Sequence, residues 1–295
     1  AAIVDLKAAV RYLYLNDEVM PGDANKIVSN GTSAGGALSA LLGATGNSQD
    51  YLPYLQEIGA ADTRDDIFAV SAYCPITNLE NADSAYEWMY NGVNSYSRME
   101  FTRNTSAQEY NDRTITRSTI QGSLSDEEIE ISNKLKTLFP TYLNSLKLKD
   151  DAGNLLTLDR NGNGNFKTYL ANIIRNSANK ALKEGKDISQ FNKAFTIENN
   201  KVVAVDLDVY THIGDRMKSP PAFDSLAASS GENNLFGDKK SDNKHFTKFS
   251  FDINNNIAIE YFSKGKFNDK NNKIVVPKMA DKNIIKMMNP MYYID

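Results

Sequence analysis

Residues 26–43 read KIVSNGTSAGGALSALLG, and this stretch decides the fold class. It opens with a short apolar run, Lys26 to Asn30, of the kind that a buried parallel strand shows. A glycine-rich turn follows, and apolar residues then recur at helical spacing from Ala37 to Leu42. Gly43 and Gly46 are predicted to end this helix. A strand, a tight turn and a helix in this order indicate an α/β fold.

The neighbouring segments fit the same class. Residues 2–16 carry apolar side chains at three- and four-residue steps, which predicts an amphipathic helix with one buried face. Residues 66–74 form a second apolar run closed by Pro75, which predicts another buried strand. These two segments extend the predicted α/β core on both sides of residues 26–43.

Ser33 stands at the centre of Gly31-Thr32-Ser33-Ala34-Gly35, between the predicted strand and the predicted helix. This is the context of the nucleophile elbow of α/β-hydrolases, in which serine occupies a sharp, strained turn. Side chains at the two glycines are expected to collide with the adjacent strand and helix. The pattern predicts Ser33 as nucleophile and the backbone N–H of Ala34 as one oxyanion donor. A glycine-rich helix start that binds phosphate or only packs is the alternative.

The rest of a catalytic triad is harder to place. Enzymes of this fold order the triad as serine, acid and histidine along the chain. Only His212 and His245 are available, and both lie in the polar region that follows residue 80. Only 25 residues precede Lys26, and no predicted strand follows that region. We therefore expect the acid, the histidine and the second oxyanion donor to lie outside Ala1–Asp295, and the 295 residues alone to be inactive.

Two other catalytic arrangements stay open. In one, His212 is the base, with Asp206, Asp208 or Asp215 as its acid. In the other, Cys74 is the nucleophile of a cysteine enzyme.

Composition limits the partners. The formal net charge of −4 argues against nucleic acid and anionic membranes, because both require clustered basic residues. No apolar run has transmembrane length. The single Cys74 excludes an internal disulfide and a multi-cysteine metal site, and it leaves the compartment and the oligomeric state open. The opening residues, Ala1 to Asp5, read as the inside of a helix, so we expect the N-terminus of the protein to lie elsewhere.

No cofactor or metal is predicted. Residues 159–164 begin like a calcium loop, but Leu170 stands where the bidentate glutamate is required, which favours a plain Asn-Gly turn.

Changes in composition along the chain predict three regions. Residues 1–84 are expected to form the central part of an α/β-hydrolase core. Residues 85–280 are polar and rich in Asn, Ser and Lys, and are expected to form a large inserted, mostly helical cap. Within them, Ser125 to Glu128 form a capping-box sequence that predicts a helix start, and residues 195–207 predict a hairpin that turns at Asn199-Asn200. Residues 281–295 are expected to return to the core.

Longer motifs around the elbow and along the polar region resemble those of the bacterial subtype-B tannases, or tannin acyl hydrolases. The resemblance spans nearly the whole chain, in order. The motifs are Pro21 to Lys26, Asn30 to Ala37, Asp65 to Ile76, Ala85 to Trp88, Arg216 to Lys218, Pro221 to Asp224 and Gly231 to Asp238.

The resemblance implies a serine esterase that cleaves galloyl esters and depsides of tannins and releases gallic acid. It implies that Ser33 is the nucleophile, that Lys218 and Glu232 bind the phenolic hydroxyls, and that Ile76 packs on the ring face. The chemistry is consistent, because a carboxylate accepts from phenolic O–H groups and an ammonium donates to their oxygens. The chain departs from the pattern at Gly231, where a relative has proline against the other ring face. The family's catalytic aspartate and histidine, and a further ring-binding aspartate, would fall beyond Asp295.

Two alternative functions stay open. A feruloyl or general carboxylesterase would have no use for the Lys218 and Glu232 pair. A catalytically incomplete fragment could instead act as a binding module.

Overall fold

The structure is a computed structural model that describes residues 2–103, 115–238, 240–263 and 278–294. The helices are α1 (Ala2–Leu15), α2 (Ala34–Ala44), α3 (Leu52–Glu57), α4 (Ala82–Tyr90), α5 (Asp126–Lys136), α6 (Phe139–Ser145), α7 (Asn165–Lys183), α8 (Leu207–Thr211), α9 (Gly231–Leu235), α10 (Lys248–Ser263) and α11 (Lys282–Met287). The strands are β1 (Val28–Thr32), β2 (Ala69–Tyr73), β3 (Ser95–Arg103), β4 (Ile115–Ser123), β5 (Phe195–Glu198), β6 (Lys201–Val205), β7 (Lys244–His245) and β8 (Lys278–Met279).

The chain divides into two compact units. The first unit comprises Ala1–Ala82 and Phe223–Asp295, and the second comprises Asp83–Ala222. The expected insertion begins close to where the second unit begins. Residues 223–280, which were expected in the insertion, belong to the first unit. Whether the second unit acts as a cap stays a prediction.

The core of the first unit confirms the α/β prediction for residues 2–73. Strands β1 and β2 pair in parallel, with Val28 opposite Ala69 and Thr32 opposite Tyr73. The apolar face of α1 packs with α2 and α3 in one hydrophobic cluster, to which α11 contributes Met287. The buried members of this cluster are Ile3, Val4, Val10, Leu41, Leu42, Tyr51, Leu55 and Met287.

A buried ionic group fastens α1 to the segment that leads into β2. The Asp65 carboxylate accepts hydrogen bonds from Lys7 Nζ and Arg11 Nε, both at 2.8 Å. The same ammonium donates to the carbonyl oxygen of Thr45 at 2.5 Å, just after α2 ends. Because each buried charge has a charged or carbonyl partner, the group can be accommodated in the core.

The second unit contains two antiparallel pairs. Strand β3 pairs with β4, and β5 pairs with β6. The predicted hairpin is confirmed: it turns at Asn199 and Asn200, whose φ angles of 47° and 57° suit a type I′ turn. The predicted capping box is confirmed as well, since Ser125 and Glu128 bond reciprocally at the start of α5.

Trp88 packs inside the second unit. Its ring lies 5.0 Å from that of Phe139 and 5.8 Å from that of Phe166, measured between centroids, and its Nε1 donates to the carbonyl oxygen of Gly162. Gly162 belongs to the predicted Asn-Gly turn, in which Asp159 Oδ1 accepts from the amides of Asn161 and Asn163. The turn therefore supports Trp88.

None of the described helices is both long and apolar enough to cross a membrane. Across all the described residues, no group of three or more His, Cys, Asp or Glu side chains could hold a metal ion.

Candidate active site

Ser33 occupies the sharp turn between β1 and α2. Its φ of 57° and ψ of −118° lie outside the regions that L-residues normally adopt, so the backbone is strained there. The Ser33 amide donates to the carbonyl oxygen of Tyr73, at the end of β2, over 3.0 Å. The side chain is exposed and makes no capping bond to α2. A strained, solvent-facing serine at the carboxyl end of a parallel strand is the geometry that a nucleophile elbow requires.

Gly31 and Gly36 allow this turn, whereas the spacing around Ser33 predicted Gly31 and Gly35. A Cβ on Gly31 would lie 2.2 Å from the carbonyl oxygen of Gly35, and a Cβ on Gly36 would lie 2.5 Å from that of Tyr73. A Cβ on Gly35 would meet nothing within 4 Å among the described residues. The expected collision at Gly35 is therefore wrong, because the first turn of α2 presents Gly36, not Gly35, to β2.

This difference gives a paired prediction. Gly36→Ala is expected to lower the free energy of unfolding by about 1–3 kcal/mol, because a methyl group would push against backbone that cannot move freely. Gly35→Ala is expected to be neutral or to stabilise by up to about 1 kcal/mol, since alanine is the better helix former. Urea unfolding of the two variants checks this. Equal losses would mean that the glycines do not differ in their surroundings.

The amide of Ala34 stands at the N-terminus of α2. Ala34 is the first residue of α2, so its N–H has no acceptor within the helix. It immediately follows Ser33, and the positive end of the helix dipole favours negative charge at this point. The arrangement could stabilise an oxyanion formed beside the Ser33 hydroxyl.

His245 has no ring nitrogen available to serve Ser33. The His245 ring is fully buried, with Nδ1 2.7 Å from Asp224 Oδ1 and Nε2 3.2 Å from Asn254 Nδ2, so both nitrogens are occupied. His212 follows α8 in the second unit, and its role as base stays a prediction. Among the residues that the structure describes, no histidine hydrogen-bonds to the Ser33 hydroxyl.

The three aspartates considered as partners of His212 have other roles. Asp206 caps α8 by accepting from Val209 N, Asp208 pairs with Lys167 at 2.6 Å, and Asp215 accepts from the hydroxyl of Ser95. These contacts give no support to a His212 dyad. Cys74 is exposed and free, and it lies just after β2.

The loop after β2 brings Ile76 to the edge where Ser33 lies. Strands β1 and β2 are parallel and end side by side, at Thr32 and Tyr73. Ile76 follows three residues later and packs against a hydrophobic cluster that contains Phe236 and Phe246. Their rings stack with centroids 4.6 Å apart. The cluster therefore links the carboxyl edge of the strands to the residue that follows α9.

Helix α9 carries Gly231 and Glu232. Gly231 is exposed at its first position and Glu232 is half-buried at its second. The helix begins with a reciprocal capping box between Ser230 and Asn233. Because the cap and the Phe236 contact hold both ends of this short helix, Glu232 has a defined position in the first unit.

The buried Asp224 carboxylate binds the side of α9 that carries Asn233. Asp224 is fully buried, and its Oδ1 accepts from Asn233 Nδ2 at 2.6 Å and from His245 Nδ1 at 2.7 Å. Its Oδ2 accepts from the amides of Phe246 and Thr247 and from the Thr247 hydroxyl, at 2.7–3.0 Å. We call these groups the Asp224 hub. It joins α9 to β7 and to the start of α10.

A second acid, Asp238, connects the loop after α9 to Lys244. Asp238 Oδ2 accepts from Lys244 Nζ at 2.7 Å, and this hydrogen bond lowers the pKa of Asp238 to about 2. The carboxylate is therefore ionised at neutral pH and ties the loop to the start of β7.

Lys218 is the one predicted site residue in the second unit. It is half-buried and is followed by Ser219, two prolines and Ala222, the last residue of the unit. Ser33, Ala34, Ile76, Gly231 and Glu232 all belong to the first unit. Sequence reasoning missed the Asp224 hub: Asp224 was noted only inside a motif, because burial of an acid leaves no local signal.

The chain is similar to proteins of known structure. A family model described as BD-FAE matches residues 1–133. The chain is 85% identical to a tannase from Fusobacterium nucleatum, with a TM-score of 0.89, over 100% of this chain and 59% of that one. It is 42% identical to a tannase from Lactobacillus plantarum, with a TM-score of 0.86, over 99% of this chain and 57% of that one.

A further solved structure carries a ligand. It is a tannin acyl hydrolase in complex with ethyl gallate, 42% identical, with a TM-score of 0.83, over 99% of this chain and 56% of that one. The chain thus spans a little under three fifths of the length of the tannases that it matches. A comparison with curated proteins finds no match.

Proposed function

The chain belongs to the tannase family, with an α/β-hydrolase-like fold, over the part of those proteins that it spans, and from this premise we propose that it forms part of a serine esterase of galloyl esters. The observation that carries the proposal is the strained Ser33 turn, with its φ of 57°, at the carboxyl edge of β1. The relative that binds ethyl gallate supports a galloyl ester as substrate.

In the proposed reaction, Ser33 attacks the ester carbonyl. A general base takes the proton of the Ser33 hydroxyl, and the Oγ–C bond forms as the carbonyl becomes an oxyanion. The Ala34 amide donates to that oxygen. The alcohol then leaves with a proton, and water hydrolyses the galloyl-enzyme to gallic acid and free Ser33. We assign the base to no residue of this chain: His245 has both ring nitrogens occupied, and His212 stays an untested alternative.

Substrate recognition is proposed to rest on Lys218 and Glu232. The Glu232 carboxylate would accept hydrogen bonds from phenolic O–H groups, and the Lys218 ammonium would donate to their oxygens. Ile76 would pack against the ring face beside the Ser33 edge. Gly231 has no side chain, so it leaves the other ring face open at that position.

This recognition predicts a change in selectivity. In the full-length esterase, Glu232→Ala and Lys218→Ala are each expected to lower kcat/KM for methyl gallate by roughly ten- to a hundredfold, since a hydrogen bond to a charged group contributes about 1.5–3 kcal/mol. Methyl benzoate has no phenolic hydroxyls, so its hydrolysis should change far less. The double variant should lose less than the product of the single losses, because both groups hold one ring.

The controls remove surface charges of the same kind. Glu127 and Lys201 are exposed, and Glu127→Ala and Lys201→Ala should leave the ratio of the two kcat/KM values unchanged. Equal losses on both esters in the Glu232 and Lys218 variants would assign these residues to structure instead. A feruloyl or general carboxylesterase would then become the better hypothesis, and a protein that binds methyl gallate without hydrolysing it would be a binding module.

A further inference from the structure

The main chain at Lys218 is held on both sides by side chains of the second unit. The Tyr86 hydroxyl accepts hydrogen bonds from the amides of Met217, at 3.0 Å, and Lys218, at 3.2 Å. The carbonyl oxygen of Lys218 accepts from Arg216 Nε at 2.7 Å. The backbone position from which the Lys218 side chain extends is therefore set by Tyr86 and Arg216.

Arg216 is itself fixed in place. Its guanidinium is fully buried and pairs with the buried Glu87 carboxylate, which also accepts from the Ser132 hydroxyl at 2.6 Å. The Arg216 main chain joins β3, with its amide bonded to Ser95 O at 3.1 Å and its carbonyl oxygen to Ser97 N at 2.9 Å. This ion pair is part of the packed interior and does not depend on solvent-exposed groups.

Tyr86 is fixed by the same group. Its ring stacks on Tyr90 with centroids 4.7 Å apart, and the Arg216 guanidinium lies 5.4 Å from its centroid. Tyr86 and Glu87 are neighbours on α4, so one turn of helix supplies both the hydroxyl and the carboxylate. Burial raises the pKa of Tyr86, so the hydroxyl stays neutral at the pH of an esterase assay.

We propose that Tyr86 is a positioning residue that aims Lys218 at the phenolic hydroxyls of the substrate. This inference rests on the proposed role of Lys218. A lysine side chain has several rotatable bonds, and fixing its starting point lowers the conformational entropy that binding must overcome. Stability alone does not require the hydroxyl, because Met217 is 61% exposed and water can reach this loop in its absence.

The test is Tyr86→Phe in the full-length esterase, which removes one oxygen and keeps the ring that contacts Arg216 and Tyr90. We expect kcat/KM for methyl gallate to fall about three- to tenfold, mainly through a higher KM, with a much smaller change for methyl benzoate. In the double variant with Lys218→Ala, the loss should equal that of Lys218→Ala alone, because Tyr86 acts through Lys218.

Tyr51→Phe is the matched control. Tyr51 is fully buried in the core of the first unit, and its hydroxyl donates to the carbonyl oxygen of Met287 at 2.6 Å. This variant should lose stability without changing the ratio of kcat/KM for the two esters. The same unchanged ratio in Tyr86→Phe, with a changed ratio in Lys218→Ala, would overturn the inference and leave the proposed function standing. An unchanged ratio in Lys218→Ala would instead contradict the proposed function.

Discussion

Replacing Ser33 with alanine in the full-length esterase is expected to lower kcat for methyl gallate by about 10⁴- to 10⁶-fold, the loss seen when a hydrolase loses its nucleophile. Only the attacking oxygen disappears, and the Ser33 side chain makes no capping bond that folding would miss. An assay that detects the gallate released from the ester measures the effect. Ser29→Ala, on the same strand, is the control and should keep normal activity. Retained activity in Ser33→Ala, or failure of a serine-directed phosphonate to label Ser33, would contradict the assignment.

The strain at Ser33 gives this prediction a second readout. Glycine adopts a φ of 57° without steric cost, so Ser33→Gly should also be inactive but more stable than the parent, by about 1 kcal/mol. Such a gain would show that the turn is strained for the benefit of the reaction. A loss of stability in Ser33→Gly would mean that the serine side chain supports the fold.

Replacing Asp224 with alanine is expected to lower the free energy of unfolding of the protein by about 3–5 kcal/mol. The five donors of the Asp224 hub would lose their acceptor in an interior that water does not reach. The helix with Glu232 would lose its anchor at Asn233 in the same step. Urea unfolding, followed by circular dichroism, measures the loss.

Asp238→Ala is the matched control for this variant. Asp238 lies in the same part of the chain and also accepts hydrogen bonds, but its side chain is 47% exposed. The Lys244 side chain is only 9% exposed, but the position that the carboxylate leaves is open to water, which can hydrogen-bond to the Lys244 ammonium there, so the loss should be smaller. Similar losses in both variants would mean that burial of Asp224 contributes little, and that the hub does not anchor α9.

Local patterns were sufficient for the elements around the elbow. The predicted helix at residues 2–16 is confirmed as α1, and the two predicted strands are confirmed with their limits moved by a few residues. Strand β1 runs on to Thr32 because Gly31 and Thr32 still pair with β2, which no local pattern reports. The sharp turn at Ser33 was predicted because its requirements are local: small residues and one serine at fixed spacing after a strand.

Gly43 and Gly36 show a constraint that local sequence patterns do not reveal. Gly43 was predicted to help end α2, but the helix runs to Ala44, and a Cβ on Gly43 would lie 2.3 Å from the Val70 side chain. Gly36, not Gly35, meets the β2 backbone. In both cases the constraint comes from a strand more than 25 residues away along the chain. The sequence alone does not distinguish a glycine that ends a helix from a glycine that allows a strand to pack closely.

The sequence by itself determined the α/β class, the Ser33 turn and, through its motifs, the tannase family. Only the tertiary structure decided which charges are buried and which segments they hold. Asp65 binds Lys7 of α1, and Asp224 binds Asn233 of α9. Arg216 and Tyr86 hold the backbone of Lys218. The physical reason is that helix and strand formation depend on residues a few positions apart, whereas desolvation of a charge depends on every segment packed around it. His245 illustrates this, because Asp224 and Asn254 occupy both of its ring nitrogens in the folded chain.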